Sequence, residues 1–166
     1  MKPPGLTLIH DYISAATERD LLTPISTALS LSKEKGSGTD RSRIIRLGWG
    51  YDRPHKWLGD IPAWLTQPIP NSALFNSMTL NEYLPGRGIR PHIDSLDFGD
   101  QIVILSLGAS AAMRFSKAGQ EDYDLELPSR SMLILQDKAR YDFQHSVLPI
   151  AGKEIRYSIV FRSYTP

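Results

Sequence analysis

The chain has 166 residues, a length that suits one domain with one substantial core. Composition is ordinary for a globular protein, 41% hydrophobic and 22% charged with a mean hydropathy of −0.26, and the net charge of +1 excludes a uniformly basic nucleic-acid-binding surface while leaving room for a local basic patch. The absence of cysteine excludes disulfides, cysteine nucleophiles and thiolate-held zinc or iron–sulfur centres, so any metal must sit on His, Asp or Glu, a donor set that favours iron, manganese or zinc.

Residues 1–5 are too polar and Pro-rich to open a secretory signal, and no apolar run approaches the ~20 residues of a membrane span. The expectation is a cytoplasmic protein with no membrane partner. Residues 6–13 read as a short strand. Ser14 is placed to cap a helix over residues 15–31, because Leu21, Leu22, Ile25 and Leu29 fall on one helical face. Residues 32–43 hold Gly, Ser, Lys and charge but no core residues, and read as an exposed loop. Residues 44–49 are strand-like. Residues 54–70, with four prolines and two tryptophans, read as loop or short helix. Beyond them short apolar runs recur at 78–84, 101–107, 111–115, 123–127, 131–135 and 155–164, separated mostly by Gly, Pro, Asp or Ser. Strands at this spacing predict a β-sandwich or barrel, flanked by N-terminal helices.

His92-x-Asp94 is the single His-x-Asp in the chain. In an extended segment residues two apart point to the same side, so both side chains can reach one ion. His145, 51 residues beyond Asp94, can supply a third ligand from another strand. Two His and one carboxylate on one face of a metal leave other positions open, the arrangement of non-haem Fe(II) oxygenases. Chance supplies about 0.3 such pairs in a chain of this make-up, so the motif alone is weak; a surface His beside a solvated Asp is the commoner case.

Residues 156–162, Arg-Tyr-Ser-Ile-Val-Phe-Arg, alternate like a strand. Tyr157, Ile159 and Phe161 take one side, and Arg156, Ser158, Val160 and Arg162 the other. Cations on an inner face need partners, and a dicarboxylate suits a guanidinium fork. The alternative is that both Arg lie on a solvated face. Chance gives about 0.9 such spacings, so this signal too is weak alone.

The conjunction is more specific than its parts. Asn81-x-Tyr83-x-Pro85-Gly86, His92-x-Asp94, His145 and Arg156-x5-Arg162, in that order, resemble the AlkB family of Fe(II)/2-oxoglutarate dioxygenases. Residues 104–108, 127–133 and 139–145 are similar to it as well. The resemblance covers roughly residues 76–164 well and the N-terminal half loosely. It implies a double-stranded β-helix, or jelly-roll, core over residues 76–166, with residues 1–75 as an N-terminal extension and substrate lid of a single domain. It implies catalytic iron on His92, Asp94 and His145, and the cosubstrates 2-oxoglutarate and O₂. It places 2-oxoglutarate on Arg156 and Arg162, with Asn81, Tyr83 and Ser158 assisting. Arg156 is the main choice for the distal carboxylate, and Arg162 could instead brace the metal-site carboxylate. Asn81 and Tyr83 share strand parity, in agreement.

The chemistry so implied is hydroxylation of a C–H bond coupled to conversion of 2-oxoglutarate to succinate and CO₂; on an N-methyl group the product falls apart to formaldehyde. The resemblance points to an alkylated base in DNA or RNA, tRNA included, with a single-stranded nucleic acid or an RNA loop as partner and the protein a monomer. Trp49 and Tyr51, with Trp57, are candidate walls for an extruded base, and Arg140 a further substrate candidate. The alternative for the aromatics is core or lid packing. Arg41, Arg43, Arg46, Arg53, His55 and Lys56 could meet phosphates, though such a run is more often a solvated face. Two features depart from the nucleic-acid dealkylases. Leu96 stands where some members carry a second acid, and residues 49–74 leave little room for a large lid. The same chemistry on a protein side chain or small metabolite is the first alternative. A non-catalytic β-sandwich binding module is the second. A metal-dependent hydrolase is disfavoured, because His10 and His55 show no further ligand pattern.

Overall fold

The structure, a computed structural model, describes residues 1–32 and 43–166. Its elements in chain order are β1 (Leu6–Ile9), α1 (Ala15–Leu31), β2 (Arg43–Gly48), α2 (Ala63–Thr66), a 3-10 turn (Ser72–Leu74), β3 (Ser77–Tyr83), β4 (Ile89–His92), β5 (Phe98–Gly108), β6 (Ala111–Ser116), β7 (Tyr123–Leu127), β8 (Met132–Leu135), α3 (Asp137–Tyr141), β9 (Gln144–Val147) and β10 (Arg156–Tyr164). The strands form two antiparallel sheets. One runs β1-β8-β5-β10-β3-β2, and the other β4-β9-β6-β7. This is the expected mainly-β jelly roll with an N-terminal helix.

Alternation along β10 divides the interior into two layers. Ile159 and Phe161, both fully buried, join Met78, Leu80, Leu105 and Leu107 in a core closed by Leu21, Ile25 and Leu29 of α1. Val160, Ile102, Ile104, Leu133 and Leu135 face the other way and meet Met113, Phe115 and Val147 of the second sheet. Each such buried side chain contributes about 1.5–3 kcal/mol. The helix is anchored by its cap, where the Thr17 amide donates to Ser14 Oγ at 3.0 Å, and by Glu18, which accepts from the Gly108 amide at 2.9 Å and from the Ser129 hydroxyl.

Several expectations shift. The strand expected over residues 6–13 ends at Ile9, because Asp11 turns the chain with φ 44°, and the Tyr12 amide donates to the Arg130 carbonyl instead. Arg43, expected in a loop, already belongs to β2; most of that expected loop, with Arg41, lies outside the described residues. The recurring apolar runs did not mark out β4, α3 or β9, of four, five and four residues, although the metal motif had placed His92 in an extended segment and His145 on another strand. No helix among the described residues is long and apolar enough to cross a membrane.

Candidate active site and metal centre

The site grows out of the pairing of β4 with β9. Their register sets His92 directly opposite His145, and their ring centroids lie 4.4 Å apart. Gly88 permits the approach: a Cβ there would stand 2.2 Å from the Val147 carbonyl oxygen. The register shifts between Ile89 and His92, an irregularity of the kind that re-aims side chains. Asp94 follows β4, so His92, Asp94 and His145 bring one ligand atom each to within 4.8 Å of one another.

Protonation suits a divalent cation. His92 Nδ1 lies 2.9 Å from the Arg90 carbonyl oxygen, which fixes the hydrogen on Nδ1 and leaves the Nε2 lone pair to the cleft. Burial pushes His145 down to about 3, so its imidazole is neutral, and its Nδ1 is buried with no hydrogen-bond partner. Burial would raise the Asp94 carboxyl, but Arg162, His145 and His92 together outweigh it and hold the group well below the usual carboxylate range. Two imidazoles and one carboxylate are a donor set for Fe(II).

The neighbouring wall comes from β10, β3 and β5. Their register pairs Arg156 with Tyr83 and Gly108, and Ser158 with Asn81 and Ser106. All therefore share one face, as the shared parity predicts. Asn81 Nδ2 donates to Ser158 Oγ at 3.3 Å. Arg156 is fully buried; it donates to Ser106 Oγ at 3.0 Å and the Ala109 carbonyl at 3.4 Å, and burial pushes it down to about 10. Its Nε has no partner, and among the described residues no carboxylate pairs with it. A buried guanidinium with no carboxylate bonded to it is costly, and it fits a ligand that brings one.

Arg162 is differently placed. Nη2 donates to Asp94 Oδ1 at 3.0 Å, and the guanidinium lies 5.0 Å from the Tyr51 ring centroid and 5.7 Å from that of Phe98. Its contacts are those of a brace on the metal-site carboxylate. Asn81, Tyr83, His92, Asp94, His145 and Arg156 all line one cleft of about 620 Å³, as do Ser158 and Arg162. Arg46, Tyr51, Asp52 and Arg90 complete its more exposed end.

The substrate candidates divide. Tyr51 lines the cleft, but it also stacks on Phe98 at 5.4 Å and accepts the Ser95 amide hydrogen on its hydroxyl. Trp49 packs against Trp57 and Tyr164 and is absent from the cleft lining, because β2 ends at Gly48 and the chain turns there. Arg140 is not among the residues that line the cleft: it is fully buried, and its Nη1 and Nη2 donate to the carbonyls of Asp94, Ser95 and Phe98. The basic run is largely paired internally, Arg43 with Glu82, Arg46 with Asp52, and both Arg53 and His55 with Asp97. Sequence reasoning missed the hydroxyls of Ser106 and Thr79 beside the two arginines and the cluster of Asp97 with Arg53 and His55. Only strand register could have shown the first two.

Fold and donor set define a class, and the sequence comparison agrees: the chain belongs to the 2OG-Fe(II) oxygenase superfamily, whose family model matches residues 63–162. It is an AlkB-like Fe(II)/2-oxoglutarate-dependent dioxygenase that uses O₂. Among its relatives, a Xenopus tropicalis protein named tRNA (carboxymethyluridine(34)-5-O)-methyltransferase alkbh8 is 29% identical over 162 residues, covering 89% of this chain and 26% of that protein. Protein L905 of Acanthamoeba polyphaga mimivirus is 32% identical over 184 residues, covering 96% of this chain and 84% of its own. The chain thus spans about a quarter of the length of the methyltransferase relatives it matches. The solved structure of OsALKBH1 shares the fold with a TM-score of 0.80 at 15% identity, covering 98% of this chain and 100% of that one.

Proposed function

We propose that this chain oxidises an alkylated or otherwise modified base in nucleic acid, DNA or RNA including tRNA, by demethylation or hydroxylation. His92, Asp94 and His145 hold the iron. Arg156 takes the distal carboxylate of 2-oxoglutarate, with Asn81, Tyr83 and Ser158 beside it, while Arg162 braces Asp94. Residues 76–166 supply every one of these groups, and residues 1–75 supply α1 and the segment carrying Tyr51. The single observation that carries the reading is the juxtaposition, in one cleft, of the three ligand atoms with a buried guanidinium that, among the described residues, is bonded to no carboxylate.

When bound, Fe(II) with 2-oxoglutarate and O₂ supplies an oxidant for a C–H bond, and 2-oxoglutarate leaves as succinate and CO₂. The chain's own groups set the stage. Arg162 keeps Asp94 ionised and pointed at the metal position, and the Arg90 carbonyl keeps the His92 hydrogen off Nε2. The apolar lining from Ile104, Met113, Val147 and Val160 limits water around the cosubstrate. One chain provides the whole site, so a monomer suffices.

For the substrate, support comes from AlkB-like relatives whose names refer to tRNA modification, and from Tyr51, Arg46 and Arg90 at the cleft's exposed end. A single strand or an RNA loop pays less than a duplex to present a base, which suits the short segment from Trp49 to Leu74. A panel of methylated single-stranded oligonucleotides, tRNA and peptides tests this with Fe(II) and 2-oxoglutarate present. Succinate should form with at least one nucleic acid, accompanied by formaldehyde where an N-methyl group is the target, and oligonucleotide affinity should fall steeply with salt. Substrate-dependent succinate from peptides or small metabolites alone would replace this reading with the alternative substrate class.

A further inference from the structure

Asp94 is an unusual ligand in that no ladder holds its backbone. β4 ends at His92 and β5 begins at Phe98, so residues 93–97 cross the site as irregular chain. Within this stretch the backbone makes a Ser95-to-Phe98 turn bond of 3.3 Å, and the Ser95 amide is held by the Tyr51 hydroxyl. One side chain gathers three carbonyls of the segment. Arg140 Nη1 donates to the Asp94 carbonyl at 3.0 Å, and Nη2 donates to those of Ser95 at 2.7 Å and Phe98 at 3.3 Å. Arg140 is fully buried, and among the described residues no carboxylate pairs with it. Its Nε has no partner at all.

We infer that Arg140 is a positioning residue for the metal centre: its guanidinium holds the Asp94–Phe98 main chain so that the Asp94 carboxylate is presented opposite His92 and His145. The inference rests on those three residues being the ligands. A planar fork suits the task, since two nitrogens reach three separate carbonyls where a lysine offers a single nitrogen. The guanidinium also lies 4.8 Å from the centroid of the Tyr141 ring, which Tyr141→Phe keeps; burying a cation against carbonyls and one ring is expensive, and it leaves those carbonyls unsatisfied if the cation is removed. The location adds a coupling. Arg140 sits in α3, five residues before His145, so the same side chain ties the segment of the second ligand to the segment that leads into the third.

Mn(II) binding, read by the loss of the free-ion electron paramagnetic resonance signal, tests this without turnover. Outer-shell partners of metal ligands are worth about 10- to 100-fold in affinity, and Arg140→Met should lose that much, with Arg140→Lys between it and the wild type. Amides of residues 95–98 should exchange faster with deuterium in both variants. Tyr141→Phe, which removes the Tyr141-to-Asp100 hydrogen bond of 2.6 Å from the same helix, should bind as wild type does. Arg140→Lys keeps a buried cation and serves if the methionine variant does not fold. Wild-type Mn(II) affinity in either folded variant overturns the inference, as does an equal loss in Tyr141→Phe. A wild type that binds no Mn(II), by contrast, removes the metal-site reading and this inference with it.

Discussion

Succinate formation should fall to background when His92, Asp94 or His145 is replaced by alanine, and bound iron should be lost with it. Each residue contributes one of three ligand atoms that lie within 4.8 Å of one another, and none has a near substitute, since His55 and His10 lie outside the cleft lining. The three variants should differ in stability. His92 is partly exposed, so its loss costs little. His145 is buried, but as a neutral imidazole whose Nδ1 has no partner, so its removal breaks no ion pair. Asp94→Ala leaves the buried Arg162 guanidinium without its carboxylate, and breaking such a pair costs about 3–5 kcal/mol. Asp94→Asn, which keeps the side-chain shape, is therefore the companion variant. Near-wild-type turnover in any folded member of the set would remove that residue from the ligand list.

Loss of Arg156 should strike the cosubstrate rather than the metal. A charge-assisted hydrogen-bond pair is worth about 1.5–3 kcal/mol, so Arg156→Ala should weaken 2-oxoglutarate binding roughly ten- to a hundredfold. Arg162→Ala should show a smaller direct effect on 2-oxoglutarate and a larger one on metal retention, because Arg162 is bonded to Asp94 while Arg156 donates to the Ser106 hydroxyl and the Ala109 carbonyl. Calorimetric titration of the Mn(II)-loaded variants with 2-oxoglutarate separates the two. Equal 2-oxoglutarate affinity in wild type and Arg156→Ala would contradict the assignment.

How far the sequence could be read depended on the length of each element. The alternation of β10 and the parity of Asn81 and Tyr83 were visible because these strands run nine and seven residues, long enough for a period of two to register. The cap at Ser14 and the buried stripe of α1 were legible for the same reason. Strands β4 and β9, Ile-Arg-Pro-His and Gln-His-Ser-Val, are four residues each and carry no apolar alternation, so the pairing that sets His92 against His145 could not be seen. The spacing of His92 and Asp94 was visible without it. The roles of the arginines were legible only in part, since a guanidinium's partner is set by three-dimensional neighbours: Arg162 reaches Asp94 across 68 positions, and Arg140 reaches Asp94 across 46. Trp49 and Tyr51 sit two apart, yet the turn after Gly48 sends one against Tyr164 and the other into the cleft.

The central claim is that one cleft holds Fe(II) on His92, Asp94 and His145 with 2-oxoglutarate beside it on Arg156. Anaerobic absorbance titration measures this directly, because an Fe(II) ion chelated by a 2-oxo acid has a visible metal-to-ligand charge-transfer band. Wild-type protein with Fe(II) should develop that band on adding 2-oxoglutarate and saturate near one equivalent per chain. Asp94→Ala should show no band, and Arg156→Ala should reach it only at much higher 2-oxoglutarate. A wild type that remains colourless at saturating Fe(II) and 2-oxoglutarate, or an Asp94→Ala variant with the full band, would contradict the account.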